Sequence, residues 1–315
     1  MFFKNTKQKR PTQTITSLET RTYRRRGHMF TIGNIPKKLQ RFFKPLKRHF
    51  NERTWKHFWA LTMAITIAHK VTIDRLTKAL RDSTHRTNHG EFLWRSIWDE
   101  STVMQNIAID MLVHLFRQKD CKLFFIIDES QILKQAKVMD AVGTVHLHTT
   151  NTYARGHMIL KVCLYYRGVT MPWGSWLYVK KEHSSKLHLQ FRTLTELAAE
   201  AVRTAALPPQ FTVTVLFDSF YLCPVVVNAC RQRKWRYIGV ARANRSFTVA
   251  GVRRRLGNYG RNTLRNVGRW YPIKGLRTTK LYRIAERTGT MKGLGTVKVV
   301  FARRKGERRY RALVS

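Results

Sequence analysis

The first part of the chain places apolar residues at intervals of three and four, which is the spacing of one helix face. Phe58, Leu61 and Ile65 open such a stripe, and the residues after them continue it. Side chains three or four positions apart lie on one side of a helix and can be buried together. The pattern predicts an all-helical domain over residues 35–119, behind a basic, flexible arm at residues 1–34.

From Asp120 onward the apolar residues gather in short continuous runs, which is typical of buried strands. The runs lie at 123–127, 156–166, 169–179, 211–217 and 236–241. Two helical stretches interrupt them, one ending before Pro208 and one opening with Pro224, since proline stops a helix but suits its first turn. The order β-β-β-α-β-α-β predicts an α/β core over residues 120–245, followed by a basic β-rich region at 246–315.

Positive charge dominates the composition. The chain holds 60 Lys and Arg against 18 Asp and Glu, a net charge of +42. Residues 1–60 hold 16 basic and 2 acidic residues, residues 231–315 hold 25 and 2, and the part between them is nearly balanced. Because Lys and Arg supply most phosphate contacts, two basic ends around a balanced centre predict a core with nucleic-acid-binding arms. A generally basic surface without a dedicated groove is the alternative.

The cysteines and the hydropathy argue against a secreted or membrane protein. Cys121, Cys163, Cys223 and Cys230 form no C-x-x-C pair, so reduced thiols are expected. The longest nearly apolar stretch, residues 58–68, is shorter than the about 20 residues that a membrane span needs. We expect a soluble, cytoplasmic, DNA-associated protein with no membrane partner.

Two aspartates each follow a strongly apolar run, Asp128 after residues 123–127 and Asp218 after residues 211–217. An ionised carboxylate at the end of a buried strand is costly unless it is paired or bound to a cation. Adjacent parallel strands would bring the two carboxylates together in one sheet. A shared divalent cation explains both residues, and such hard oxygen ligands suit Mg²⁺ or Mn²⁺.

The segments around these aspartates, Ile127-Asp128-Glu129-Ser130 and Leu216-Phe217-Asp218-Ser219-Phe220-Tyr221, resemble the two first acidic motifs of DDE-type insertion-sequence transposases. The resemblance is to the prokaryotic branch with a β insertion. It implies an RNase H-like mixed-sheet core, preceded by an all-helical domain and followed by a basic β-rich insertion. It also implies that Asp128 and Asp218 are catalytic ligands of Mg²⁺, that the partner is double-stranded DNA (element ends and target), and that a homodimer acts on paired ends.

The family pattern includes a third carboxylate, a Glu on a helix after the insertion, within a Tyr, Arg, Glu, Lys signature. Only Glu286 and Glu307 follow Asp218 among the acidic residues, and neither has the signature spacing. We expect both to be surface or turn residues. The resemblance therefore implies a transposase that is truncated before the third catalytic carboxylate.

The leading hypothesis is a transposase that binds DNA and, with bound metal, cleaves and transfers strands during transposition of an insertion sequence. The predicted contacts to the DNA backbone are Arg242, Arg245, Arg253, Arg254 and Arg255. The missing third carboxylate keeps a second hypothesis open, a non-catalytic DNA-binding remnant or inhibitor. A basic RNA-associated structural protein is a third.

Histidine pairs suggest a weaker alternative. His146 and His148 would share one face of a strand, and His85 and His89 one face of a helix. No cysteine or carboxylate completes either set, so we expect polar surface histidines rather than a zinc site. Glu129 is expected to point away from the aspartate site, because neighbouring strand residues face opposite sides.

Overall fold

The computed structural model describes residues 37–67, 72–79, 85–135, 139–147, 150–275 and 278–315. They fall into two compact units, one ending at Trp98 and the other running from Asp99 to Ser315. The arm predicted at residues 1–34 lies outside the described residues. Within the described part of the chain, no helix is both long and apolar enough to cross a membrane.

The first unit is built from helices. Its elements are α1 (Lys37–Phe43), a 3₁₀ helix (Lys44–His49), α2 (Glu52–Ile67), α3 (Ile73–Lys78) and α4 (Arg86–Arg95). Thr72 and His85 precede α3 and α4, and their side chains accept hydrogen bonds from backbone N–H groups of the first turn. Leu61, Leu76 and Phe92 come from three different helices and pack into one apolar cluster that holds the unit together.

The second unit contains one large mixed sheet. Its described strands are β1 (Lys122–Leu133), β2 (Gly143–Leu147), β3 (Thr152–Tyr166), β4 (Val169–Tyr178), β5 (Thr212–Phe217), β6 (Arg236–Ala241), β7 (Ser246–Val249), β8 (Val252–Arg255), β9 (Arg269–Lys274), β10 (Thr279–Met291), β11 (Gly295–Arg304) and β12 (Arg311–Val314). Their order is β2-β3-β1-β5-β6-β12-β11-β10-β7-β8, with β4 paired to β3 and β9 to β10. β1 is antiparallel to β3 and parallel to β5, and β5 is parallel to β6. The mixed α/β architecture is compatible with an RNase H-like core.

Helices pack against the central strands of this sheet. The described helices of this unit are α5 (Glu100–Leu115), α6 (Lys181–Lys186), α7 (Leu194–Thr204), α8 (Pro224–Gln232) and α9 (Leu256–Val267). Of these, α7 contacts β3 and α8 contacts β6. Phe125 and Ile127 of β1 and Val215 of β5 are buried in a cluster that also contains Ala198 of α7 and Val226 of α8. Because alternate residues of a strand face opposite sides, the side chains between them on β1 and β5 point to the other face. α5 contacts β4, so this helix is part of the second unit.

Several elements differ from the sequence predictions. The single helix expected before Pro208 is two helices, α6 and α7, with His188 at a positive φ of 53° between them. α7 then begins at a capping box formed by Thr193 and Glu196. β2 and α9 have no counterpart in the predictions. The region at 246–315 therefore contains a helix as well as strands, and its strand β12 pairs with β6 and continues the sheet of the core.

Candidate active site

The two aspartates lie side by side at the end of the pairing between β1 and β5. The parallel register runs from Lys122↔Thr212 to Ile127↔Phe217, and Asp128 and Asp218 each follow the last pair. Neighbouring strands are about 4.8 Å apart, so the backbones of the two aspartates are close although the sequence separates them widely. Both side chains are exposed. The geometry thus presents two carboxylates at one point of the sheet surface.

Asp128 does not close its strand, which corrects one expectation. β1 continues to Leu133, and beyond Ile127 it is paired with β3 but not with β5. Asp128 therefore stands where β1 loses its parallel neighbour and has antiparallel Lys161 opposite it on β3. Asp218, in contrast, directly follows the last residue of β5, as the apolar run predicted.

Each carboxylate is held by one backbone hydrogen bond. Asp128 Oδ1 accepts from the N–H of Glu129 at 3.0 Å, and Asp218 Oδ1 accepts from the N–H of Phe220 at 2.8 Å. Within the described residues neither aspartate forms an ion pair, although the chain holds 60 Lys and Arg. The Oδ2 atoms are left as hard oxygen donors, which is the ligand type that Mg²⁺ and Mn²⁺ prefer. The chemistry of these donors is compatible with a divalent cation.

A buried tyrosine, Tyr221, lies close enough to both aspartates to respond to their charge. The hydroxyl of Tyr221 donates a hydrogen bond of 2.7 Å to Glu129 Oε2. Burial and the contact with Glu129 raise the pKa of Tyr221, and the charges of Asp218 and Asp128 raise it further. The hydroxyl is therefore protonated at neutral pH and lies within electrostatic range of both aspartates. Because neighbouring residues of a strand face opposite sides, Glu129 is expected on the face of β1 opposite to Asp128.

Two cations flank the aspartates. Lys161 lies across from Asp128 on β3 and is exposed. Burial raises the pKa of the nearby Cys163 thiol, and the charges of Lys161 and Asp128 act on it in opposite directions. Arg242 Nε donates to Ser219 Oγ at 3.2 Å, next to Asp218. Both side chains add positive charge to the surroundings of the aspartates.

The five arginines predicted to bind DNA occupy two kinds of position. Arg242, Arg253, Arg254 and Arg255 are exposed, and the last three form most of β8. Arg245 is half-buried, its guanidinium donates to the carbonyl of Leu222, and burial lowers its pKa. Arg245 therefore supports the segment after Asp218 from inside the protein, whereas the other four present their guanidinium groups to solvent.

The remaining candidate ligands are not gathered at the aspartates. Glu286 pairs with Lys298 at 3.3 Å and Glu307 with Arg304 at 3.7 Å, both on the surface. Across the residues that the structure describes, no group of three or more His, Cys, Asp and Glu could hold a metal ion. Within the described ranges, no third carboxylate thus forms a metal-binding group with Asp128 and Asp218.

The histidine pairs are arranged differently from the expectation. His85 precedes α4 and accepts from the N–H of Thr87. His89 is buried and its Nδ1 lies 3.1 Å from Nδ1 of His57, so it does not pair with His85. His146 contacts Asn151 at 3.1 Å, and His148 lies outside the described residues.

Comparison with known proteins identifies the family. A family model described as DDE superfamily endonuclease matches residues 42–269. A search of curated proteins finds no match. The matched segment contains both aspartates, Tyr221 and Glu129, and spans well over half of the chain. The chain therefore belongs to the DDE superfamily endonucleases, in agreement with its resemblance to DDE-type transposases.

Proposed function

We propose that the chain is a transposase in which Asp128 and Asp218 hold Mg²⁺ or Mn²⁺ for the cleavage and transfer of DNA strands during transposition of an insertion sequence. The observation that carries this proposal is the register of β1 and β5, which supports neighbouring positions for Asp128 and Asp218. Within the described residues, neither of these carboxylates forms an ion pair. The mixed sheet supports an RNase H-like core as the scaffold. Double-stranded DNA, as element ends and target, is the proposed substrate.

The chemistry follows from the side chains at this surface. When bound, divalent ions would supply an activated oxygen nucleophile and stabilise the oxyanion that leaves. Asp128 and Asp218 would hold those ions, and Asn in either place would keep the shape but lose the charge. Lys161 and Arg242 would contact the phosphates on either side. The hydrogen bond between Tyr221 and Glu129 would fix the segment that follows Asp218 relative to β1.

The charge of the chain supports a DNA substrate. A net charge of +42 draws a polyanion to the surface, and β8 presents Arg253, Arg254 and Arg255 to solvent. Phosphate contacts of this kind position a duplex without reading its sequence. We propose that these arginines bind phosphates of the DNA backbone. We also propose that two copies of the chain act together on the paired ends of the element.

A strand-cleavage assay tests the proposal. The substrate is a duplex that carries the sequences flanking the coding region, incubated with the full chain and Mg²⁺. Asp128→Asn and Asp218→Asn should each lower cleavage by about a thousandfold or more, because metal ions contribute several kcal/mol at the transition state. Asp110→Asn, at an exposed residue of α5, is the matched control and should cleave normally. Cleavage that survives both active-site substitutions would refute the proposal.

One observation favours a second candidate, a DNA-binding protein that occupies element ends without cutting. In the described ranges no third carboxylate joins Asp128 and Asp218. The same assay separates the two candidates, since this protein would bind the duplex and leave it intact with every variant. If cleavage occurs, Glu286→Gln and Glu307→Gln should leave it unchanged, because both residues form surface ion pairs.

A further inference from the structure

A groove in the helical unit combines positive charge with aromatic rings. Its volume is about 620 Å³, and α1, the 3₁₀ helix and α2 form its walls. The side chains used in the argument are Lys37, Arg41, Lys44, Lys47, Trp55 and Trp59. A cavity of this size is in the range of sites that hold a ligand-sized group. The catalytic proposal uses none of these residues.

The two tryptophans form one stacked wall. Trp55 and Trp59 are four residues apart on α2, and their ring centroids lie 5.8 Å apart with an interplanar angle of 25°. Trp55 also stacks on Phe58 at 5.7 Å, and Trp59 meets the edge of Phe43 at 5.7 Å. Both tryptophans are half-buried, and neither belongs to the apolar cluster of this unit. The rings are thus held by their neighbours while part of each remains open to the groove.

The opposite wall is strongly basic. Residues 37–49 contain six Lys and Arg and no Asp or Glu. Lys47 forms an exposed ion pair with Glu52 at 2.9 Å. Lys37, Arg41 and Lys44 have no carboxylate partner within the described residues. The groove therefore offers cations for phosphates directly beside aromatic faces.

We propose that this groove binds unpaired nucleotides of DNA, with a base stacked against Trp59 and the adjoining phosphates on Lys37, Arg41 and Lys44. Aromatic faces stack any base, and a basic groove tracks the backbone. In a duplex the faces of each base are covered by its neighbours, so only an unpaired base can use the tryptophan. The choice of DNA as the ligand rests on the proposed function. The inference deepens that function, because it assigns to the helical unit the binding of melted or single-stranded DNA ends.

The test is a binding titration with the full chain in EDTA, so that no cleavage occurs. Fluorescence anisotropy compares a labelled single-stranded oligonucleotide with its duplex and with RNA of the same sequence. Trp59→Leu should weaken single-strand binding by about 5-fold to 150-fold, the range for loss of one stacked base, and change duplex binding less than about twofold. Trp59→Phe keeps an aromatic face and should retain more affinity than Trp59→Leu.

Matched controls keep the result specific. Trp94→Leu removes an exposed tryptophan that also has a cation, Arg95, over its ring, but lies outside the groove. Lys56→Gln removes an exposed cation of α2 that does not line the groove. Both should bind single strands like the wild type, whereas the triple variant Lys37→Gln, Arg41→Gln and Lys44→Gln should lose affinity and salt dependence together.

Three outcomes would overturn the inference. The first is an unchanged affinity of Trp59→Leu for single-stranded DNA. The second is a loss of duplex affinity in Trp59→Leu that equals its loss of single-strand affinity. The third is tighter binding of RNA than of single-stranded DNA by the wild type. Failure of the proposed function has a different signature, since wild-type cleavage by Asp128→Asn refutes that function and leaves the single-strand binding by the groove intact. Wild-type single-strand affinity in Asp128→Asn is expected, because Asp128 lies in the other unit.

Discussion

The hydroxyl of Tyr221 donates a 2.7 Å hydrogen bond to Glu129, and this bond ties the segment after Asp218 to the strand that carries Asp128. Tyr221 has no exposed surface, whereas both aspartates are exposed. The candidate site therefore combines two exposed carboxylates with a partly buried polar contact. The contact links β1 with the segment that follows β5, and we expect it to help hold the two aspartates in place.

Tyr221→Phe should weaken this arrangement. Removing the hydroxyl takes away the hydrogen bond that Tyr221 donates to Glu129. This loss should lower the free energy of unfolding by about 1–3 kcal/mol. Cleavage should fall less than in Asp128→Asn, since the metal ligands remain. Urea unfolding and the cleavage assay provide the two readouts. Tyr153→Phe, at a tyrosine that is 73% exposed, is the control and should match the wild type, while equal stability of Tyr221→Phe would contradict this role.

Gly239→Ala should disturb the site through packing. Gly239 is paired with Phe217 on β5, and an added Cβ would meet the Phe217 ring and Leu222. Overpacking of this kind costs about 1–3 kcal/mol. Because Phe217 precedes Asp218, cleavage should fall with stability. Thermal unfolding and initial cleavage rates measure the two effects.

Gly90→Ala is the matched control for this substitution. Gly90 lies in α4, and its added Cβ would be 3.8 Å from Ile73 Cδ1, an ordinary contact. Alanine should stabilise the helix by about 0.5–1 kcal/mol relative to glycine. A wild-type unfolding temperature for Gly239→Ala would contradict the idea that the close packing of Phe217 against β6 holds Asp218 in position.

Lys161→Gln tests the contact of the site with phosphate. Lys161 is exposed and lies across from Asp128. Its loss should weaken DNA binding and lower the slope of log affinity against log salt by about 1, the value for one phosphate contact. Lys122→Gln, at the other end of the β1–β5 pairing, is the control. An unchanged salt slope in Lys161→Gln would remove this residue from the interface.

The buried histidine pair predicts how stability depends on pH. His57 and His89 are 8% and 2% exposed, and burial lowers the pKa of both below the ordinary value of 6.5. The charge of Arg53 adds to the lowering at His57, and His57 itself adds to it at His89. The unfolded chain therefore binds more protons than the folded one, so this stability is present above pH 6.5 and is lost as pH falls below it.

Denaturant unfolding across this pH range provides the measurement. Replacing both rings, with His57→Gln and His89→Gln together, should flatten the decline at acid pH. His114→Gln, at an exposed ring of α5, should leave the decline in place. A wild-type chain whose stability does not fall below pH 6.5 would contradict the prediction.

The strands nearest the aspartates could be predicted because their sequences are continuous apolar runs. β6 has the predicted bounds, and β5 begins one residue late. β2, in contrast, is short and mixes Gly143 with Thr144 and His146, so its strand character depends on pairing with β3.

α9 is hidden in the sequence by its glycines, which disfavour helix. A side chain at Gly260 would collide with the ring of Tyr310, and the Tyr310 hydroxyl donates to the carbonyl of Gly257 at 2.7 Å. These glycines make room for Tyr310, a residue far along the chain, and local sequence patterns do not reveal such a contact. The same limit applies to Lys161 and Tyr221. The position of Lys161 depends on the register between β1 and β3, and that of Tyr221 depends on its hydrogen bond to Glu129.

The central claim is that Asp128 and Asp218 share a cation. Anomalous diffraction from crystals grown with Mn²⁺ tests it most directly, because the metal is located without reference to activity. The account predicts a peak whose first coordination sphere contains a carboxylate oxygen from each aspartate, lost in Asp128→Asn. A peak elsewhere in the molecule, with both aspartates free of metal at saturating Mn²⁺, would contradict it.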